Sequence, residues 1–164
     1  MSNILNMENY FKHESAYVDE GCVIGAGTKI WHFSHIMSNC IIGENCNISH
    51  RATLDRANPK GIHIGNNSRV MLDVLIIAHD YSRGLKGNIW CDTRIGHHCV
   101  IGGRSIILPG VELGNHVFVA AGSVVTKSFP SNCMIAGNPA KIIRTGIKIS
   151  DRTQIEDFGE LVKK

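Results

Sequence analysis

The 164-residue sequence has no Cys-x-x-Cys pair, no basic run and no uninterrupted apolar stretch of membrane-spanning length. Each absence removes a class of reading. Six cysteines without a paired spacing argue against a zinc or redox motif. A net charge of +3 with 19% charged residues is too slight a bias to suggest a nucleic-acid partner. Met1–Ser15 is polar and interrupted, without the apolar centre of a secretory leader, so neither a leader nor membrane insertion is expected. A cytoplasmic, thiol-reducing setting is the matching expectation. Through most of the chain the ordinary periods are missing too, both the 3.6 of a helix and the 2 of an amphipathic strand.

What is present is a period of six. Val18, Ile24, Ile30, Ile36, Ile42, Ile48 and Leu54 form one series, Ile64, Val70 and Ile76 a second, and Ile89, Ile95, Ile101, Ile107, Leu113, Val119 and Val125 a third. Four places after most of these sits a small or slim residue, among them Cys22, Thr28, Ser34, Cys40, Cys46, Ala52, Ser68, Cys99, Ser105 and Ser123. Two positions repeating together over this length are the signature of a parallel β-helix, three hexads making one triangular coil of about 18 residues. The branched residue suits an inward strand position and the small one the place where walls meet. Four cysteines on the small position read as reduced, inward-facing apolar groups. Glycine often follows the aliphatic, as at Gly25, Gly43, Gly65, Gly96, Gly102 and Gly114, which predicts tight corners.

The chain therefore predicts a single all-β domain over 1–164, with a covering segment at 1–15, the coil over 16–130 and an extension over 131–164. Within the extension, residues 151–162 predict a short helix, with Asp151 as N-cap and Ile155, Phe158, Leu161 and Val162 on one side. The period breaks twice, giving loops at 55–63 and 82–88. From Leu54 to Ile64 the step is ten, four residues too many; from Ile76 to Ile89 it is thirteen, seven too many. Leu54 and Ile76 fall on the same wall, so both insertions leave from one corner, one coil above the other. Insertions gathered on one edge commonly mark a binding face.

At that corner stands Ile76-Ile77-Ala78-His79-Asp80-Tyr81-Ser82, in which His79 takes the outward fourth place of its hexad. An imidazole titrating near neutrality is the usual general base, which makes His79 the candidate catalytic residue. His13, His32, His35, His63, His97, His98 and His116 read as solvated side chains.

The stretch Ile95-Gly96-His97-His98-Cys99-Val100-Ile101-Gly102-Gly103, with Leu108-Pro109-Gly110-Val111, Ala120-Ala121-Gly122-Ser123-Val124-Val125-Thr126-Lys127 and Ala136-Gly137-Asn138-Pro139-Ala140-Lys141, resembles the hexapeptide-repeat acyltransferases. It is especially similar to their sugar O-acetyltransferase branch: galactoside, maltose, colanic acid and capsule acetyltransferases. His79-Asp80-Tyr81 matches the bacterial polysaccharide version of that branch's histidine motif. The likeness covers about residues 62–145. Residues 10–48 look more like amino-sugar N-acetyltransferases that act on nucleotide-linked sugars.

This resemblance implies a left-handed β-helix, a homotrimer with sites between subunits, and acetyl-CoA as co-substrate with no metal. It implies acetyl transfer to a sugar hydroxyl in surface polysaccharide or oligosaccharide synthesis, with His79 as base and the Gly103 N–H meeting the oxyanion. The pantetheine arm would pass Gly103, Ala121 and Thr126, beside the Pro139 motif. Lys127, Lys141 and Arg144 match the positions that meet the CoA phosphates. Asp55, Arg56 and Trp90 are expected on the acceptor side. Trp90 is open between stacking on a sugar face, stacking on the cofactor and plain packing. The alternative is N-acetylation of a nucleotide-linked amino sugar. His98 and His116 are one coil apart, a spacing that a zinc site would use, but the intact tail motifs argue against that reading.

Overall fold

The computed structural model describes residues 9–56, 61–84, 86–87 and 89–163. Almost all of the regular structure is strand, and the parallel strands are two or three residues long except the last of the first wall. The first wall stacks Phe11–Lys12, Lys29–Ile30, Asn47–Ile48, Arg69–Val70, Val100–Ile101, Phe118–Val119 and Cys133–Gly137 in parallel. The second stacks Tyr17–Val18, His35–Ile36, Thr53–Leu54, Leu75–Ile76, Ile106–Ile107 and Val124–Val125. The third stacks Val23–Ile24, Ile41–Ile42, Ile62–Ile64, Thr93–Ile95 and Glu112–Leu113. This is a triangular β-solenoid, consistent with a left-handed β-helix. Among the described residues, no helix is long and apolar enough to cross a membrane.

The six-residue period has a direct cause. In most two-residue strands one side chain points in and its neighbour out, so the aliphatic of each hexad fills the axis. Ile30, Ile36, Ile48, Leu54, Val70, Ile76, Ile101, Ile107, Val119 and Val125 are all 0% exposed. Each such side chain contributes about 1.5–3 kcal/mol of burial. Cys40, Cys46 and Cys99 are buried free thiols at the corners, as their small-residue positions imply.

The glycines serve a different purpose from the one expected. Gly25, Gly43, Gly65, Gly96 and Gly114 do not have positive φ; that conformation falls two residues later, at Gly27, Asn45, Asn67, His98 and His116. The column of glycines instead lies backbone against backbone. A Cβ on Gly96 would stand 2.4 Å from the carbonyl oxygen of Gly114 in the coil above.

Two boundaries differ from expectation. The coil does not stop at residue 130, because Met134 and Ile135 pair in parallel with Phe118 and Val119 and extend the first wall. Ile89 is not a coil residue: the strand after Ile76 is Thr93–Ile95, so the second insertion is longer than seven residues. Its neck is closed by Cys91 N–H donating to the Ala78 carbonyl at 2.8 Å and Asp80 N–H to the Ile89 carbonyl at 2.6 Å. An aliphatic at a matching interval inside a loop thus counterfeits one hexad. Parts of both insertions, residues 57–60, 85 and 88, lie outside the described residues, as do residues 1–8 of the covering segment.

The expected helix at 151–162 is absent. Ile155–Asp157 pairs antiparallel with Lys148–Ile149, and Glu160–Leu161 with the strand Ala140–Thr145. Thr153 and Gly159 take positive φ, which a helix does not allow. Phe158, Leu161 and Val162 are 57%, 66% and 46% exposed, so no helical apolar face is buried. Ladder bonds to an existing sheet outweigh a weak local period.

Candidate active site

Both insertions leave the corner between the second and third walls, since Thr53–Leu54 pairs with Leu75–Ile76 directly above it. That register brings Asp55 underneath the start of the second insertion. The Asp55 carboxylate is 6% exposed and fully engaged. Its Oδ1 accepts the Arg56 N–H at 2.9 Å, and its Oδ2 accepts the Ala78 N–H at 3.0 Å and a short bond from His79 Nδ1. A polar group so buried needs hydrogen-bond partners, and here three donors supply them. With Nδ1–H committed to a carboxylate, the imidazole presents the lone pair of Nε2 to solvent.

The imidazole is held from other sides as well. His79 bridges to Trp90 across the neck of the loop, their rings 6.0 Å apart and edge-on at 69°. Tyr81 lies 5.1 Å away at 72°. Asp80 does not orient the ring. It caps the 3₁₀ turn Tyr81–Arg83, accepting the Ser82 N–H at 3.0 Å and Arg83 Nε at 3.3 Å. The Ser82 hydroxyl also donates to it and, foremost among these bonds, lowers its carboxyl pKa. Behind the corner, buried Thr93 donates to the Ile77 carbonyl at 2.6 Å and accepts the Gly110 N–H at 3.1 Å, tying three chain segments together. His79 opens on a groove of about 420 Å³ lined by Ile77, Tyr81, Ser82, Leu108, Pro109 and Thr126.

Other candidate residues fall in three places. Arg56 and Trp90 join the His79 corner, with the Arg56 guanidinium carbon 5.8 Å from the Trp90 ring centre. Thr126 joins the same groove, and Lys127 follows it with its ammonium 5.7 Å from the Phe129 ring centre. Gly103 and Ala121 stand at a different corner, between the first and second walls, so one chain does not bring them to His79. Pro139 and Lys141 lie at the hairpin between Cys133–Gly137 and Ala140–Thr145. Arg144 is occupied by the C-terminal segment: its guanidinium donates to the Phe158 carbonyl at 3.3 Å and lies over that ring at 5.9 Å.

Sequence reasoning placed Asp55 at the insertion corner without linking it to His79. The signal was available in the pairing of Leu54 with Ile76, which puts residue 55 beneath 77. Several histidines read as solvated are structural. His97 Nδ1 accepts the Asn66 N–H at 2.9 Å, and His98 and His116 stack 4.8 Å apart at 9°. His116 Nδ1 accepts the Ile149 N–H at 3.2 Å.

Comparison with known proteins agrees with this architecture. The "Bacterial transferase hexapeptide (six repeats)" family matches residues 21–56, and "Hexapeptide repeat of succinyl-transferase" matches residues 92–127. YvoF of Bacillus subtilis, named as a candidate acetyltransferase, is 33% identical over 57% of this chain and 54% of its own length. YJL218W of Saccharomyces cerevisiae, named likewise, is 38% identical over 65% of this chain and 56% of its own. The chain thus spans about half the length of these relatives. Among solved structures, AntD, an N-acyltransferase from Bacillus cereus, superposes with a TM-score of 0.76 at 22% identity, covering 84% of this chain and 80% of AntD. At that identity the likeness concerns the fold. The chain is thus similar to hexapeptide-repeat transferases over residues 21–56 and 92–127, and over longer stretches to proteins named as acetyltransferases.

Proposed function

We propose that the protein is an acetyl-CoA-dependent O-acetyltransferase acting on a sugar hydroxyl, in surface polysaccharide or oligosaccharide synthesis. One observation carries the reading: a buried Asp55 holds Nδ1 of His79 while the rest of the residue lines an open groove. A hydroxyl is a poor nucleophile at neutral pH and needs a base as it attacks the thioester. In this mechanism Nε2 takes that proton, the oxygen attacks the acetyl carbonyl, and the imidazolium formed is stabilised by the Asp55 carboxylate. The proton then passes to the departing CoA thiolate. Asp55 is accordingly a positioning residue rather than an acceptor contact. The AntD structure holds dTDP and 3-hydroxybutyryl-CoA, which supports an acyl-CoA donor here.

The oxyanion donor proposed is the Gly103 N–H, which has no hydrogen-bond partner among the described residues. Because Gly103 and Ala121 sit a wall away from His79, the site is completed between copies, and a homotrimer is the assembly that closes it. Thr126, Lys127, Pro139 and Lys141 would line the CoA path, with no metal required.

A second reading is N-acetylation of a nucleotide-linked amino sugar. It is favoured by AntD, an N-acyltransferase solved with dTDP-4-amino-4,6-dideoxyglucose, and rests on likeness of fold. The deciding experiment is thiol release from acetyl-CoA with mono- and oligosaccharides beside nucleotide-linked amino sugars. Turnover only with the amines would overturn the hydroxyl reading, and no turnover with either would overturn both.

A further inference from the structure

The outward side chains of the first wall form a register of three polar rungs, Lys29, Asn47 and Arg69, one coil apart. The rungs above them are apolar, and the C-terminal segment covers them: Ile147 and Ile149 pack against Val100, Phe118 and Met134. That cover ends in the turn Ser150–Gln154. The turn is closed by Thr153 N–H to the Ser150 carbonyl at 2.9 Å and Gln154 N–H to the Ser150 hydroxyl at 3.1 Å. It sets Arg152 and Thr153 beside the polar rungs and leaves a hollow of about 180 Å³ between turn and wall.

Three cations therefore meet in one small space that shares no lining residue with the His79 groove. Arginines elsewhere on the coil are matched by carboxylates, Arg51 with Asp73 at 2.6 Å and Arg94 with Asp92 at 2.7 Å. Lys29, Arg69 and Arg152 have no ion-pair partner among the described residues. The one carboxylate nearby, Asp151, lies 3.5 Å from His98 Nδ1. Arg69 is the informative member. Its Nε is shut off from solvent and makes no hydrogen bond, a state that buried donors rarely keep. A donor of this kind, with an ammonium, a second guanidinium and the Asn47 amide around one hollow, is a set that an oxyanion satisfies.

We propose that this hollow binds a phosphate group, as the free anion or as the terminal group of a small phosphorylated metabolite. Three positive charges against one carboxylate favour a dianion over a monoanion. The site lies where the C-terminal segment meets the coil, so its occupant fastens that segment to the first wall.

The test is thermal unfolding at low ionic strength, titrating inorganic phosphate against sodium chloride of equal ionic strength, with glucose 1-phosphate as a second probe. The expected result is a saturable rise in Tm of a few degrees with phosphate and none with chloride. Arg69→Gln should abolish the rise, and Lys29→Gln, at an exposed side chain that fills no core, should reduce it. Lys127→Ala should leave it intact, separating this site from the proposed CoA path. A rise with glucose 1-phosphate that Arg69→Gln also removes would assign organic phosphates; a rise with inorganic phosphate alone would assign the free anion. Equal shifts in wild type and both wall variants, or phosphate no better than chloride, would overturn the proposal. Acetyl-transfer activity plays no part in this readout, so the two readings fail separately.

Discussion

Asp55 and His79 lie 24 residues apart in sequence and one coil apart in space, joined by a carboxylate–imidazole hydrogen bond at the corner from which both insertions depart. The bond fixes a tautomer. An imidazole free to exchange tautomers spends part of its time with Nε2 protonated and useless as a base, and the carboxylate removes that state. The Ala78 and Arg56 N–H groups hold the carboxylate in turn, so its position does not depend on His79.

The first prediction follows from this division of labour. Asp55→Asn keeps the size and one carbonyl oxygen but loses the charge that stabilises the imidazolium. We expect kcat to fall by roughly 10–10³-fold with little change in KM for acetyl-CoA, since an orienting group contributes to proton transfer and not to donor binding. Steady-state kinetics with both substrates varied checks it. A rise in acceptor KM with kcat unchanged would return Asp55 to the acceptor-contact role.

His79→Ala should lose roughly 10²–10⁴-fold in kcat, the usual worth of positioned proton transfer. Its side chain reaches out of the coil at 31% exposure and fills no core, so Tm should hold within a few degrees. Kinetics and unfolding on the same sample decide the matter. A variant retaining most of its turnover would shift the reading toward an amine acceptor, which needs less help from a base.

How much of this the sequence disclosed depends on the range of the interaction. The coil was legible because one inward aliphatic per hexad is a local rule that each strand obeys, as at Ile30, Ile48 and Ile101. His79 stood out as a candidate because an insertion beside a histidine disturbs the period. The Asp55 bond was harder to see, since it depends on which residue lies a whole coil below. The C-terminal strands were not visible, because Ile155–Asp157 and Glu160–Leu161 are strands only by virtue of pairing with Lys148–Ile149 and Ala140–Thr145. Ile89 misled because spacing alone does not tell a coil residue from a loop residue.

The glycine column allows a stability prediction. Gly102→Ala places a Cβ 2.5 Å from the Val119 carbonyl oxygen and the Ala121 nitrogen, both backbone atoms of the next coil. Neither atom gives way without opening the stack, so a loss of about 2–4 kcal/mol is expected from overpacking and backbone shift. Gly122→Ala has no atom within 4 Å of the added methyl, yet its φ of +70° is unfavourable for alanine. It should cost only about 1 kcal/mol. Denaturant unfolding of the pair separates steric contact from backbone conformation, and equal losses would refute the contact argument.

For donor binding, acetyl-CoA should raise Tm by mass action on the native state. Lys127→Ala and Lys141→Ala should reduce that shift, more at low salt than at high. Arg144→Ala should reduce it less, because the Arg144 side chain already serves the Phe158 carbonyl and ring. A larger effect of Arg144 than of either lysine would show that Phe158 releases the guanidinium when CoA arrives.

The last prediction concerns acid. Burial first, and then the charge of stacked His98 and of Lys148, push the His116 imidazole below its ordinary value of 6.5, while Glu156 pulls the other way. In the unfolded chain the ring takes a proton at about 6.5, so as pH falls the unfolded state is protonated first. The stability that neutral His116 contributes is therefore fully present above pH 6.5 and is lost as pH falls toward the folded value. Protonation also removes the acceptor that Nδ1 offers to the Ile149 N–H, the tie between the C-terminal segment and the coil. Asparagine suits the position, since it tolerates the φ of +54° there and its side-chain oxygen replaces Nδ1 as acceptor without titrating. His116→Asn should match wild type in Tm near pH 7.5 and exceed it increasingly between pH 6.5 and 5. His63, also lowered by burial and by Arg94, is common to both proteins and cancels in the comparison. Melting curves that stay parallel across this range would remove His116 from the acid response.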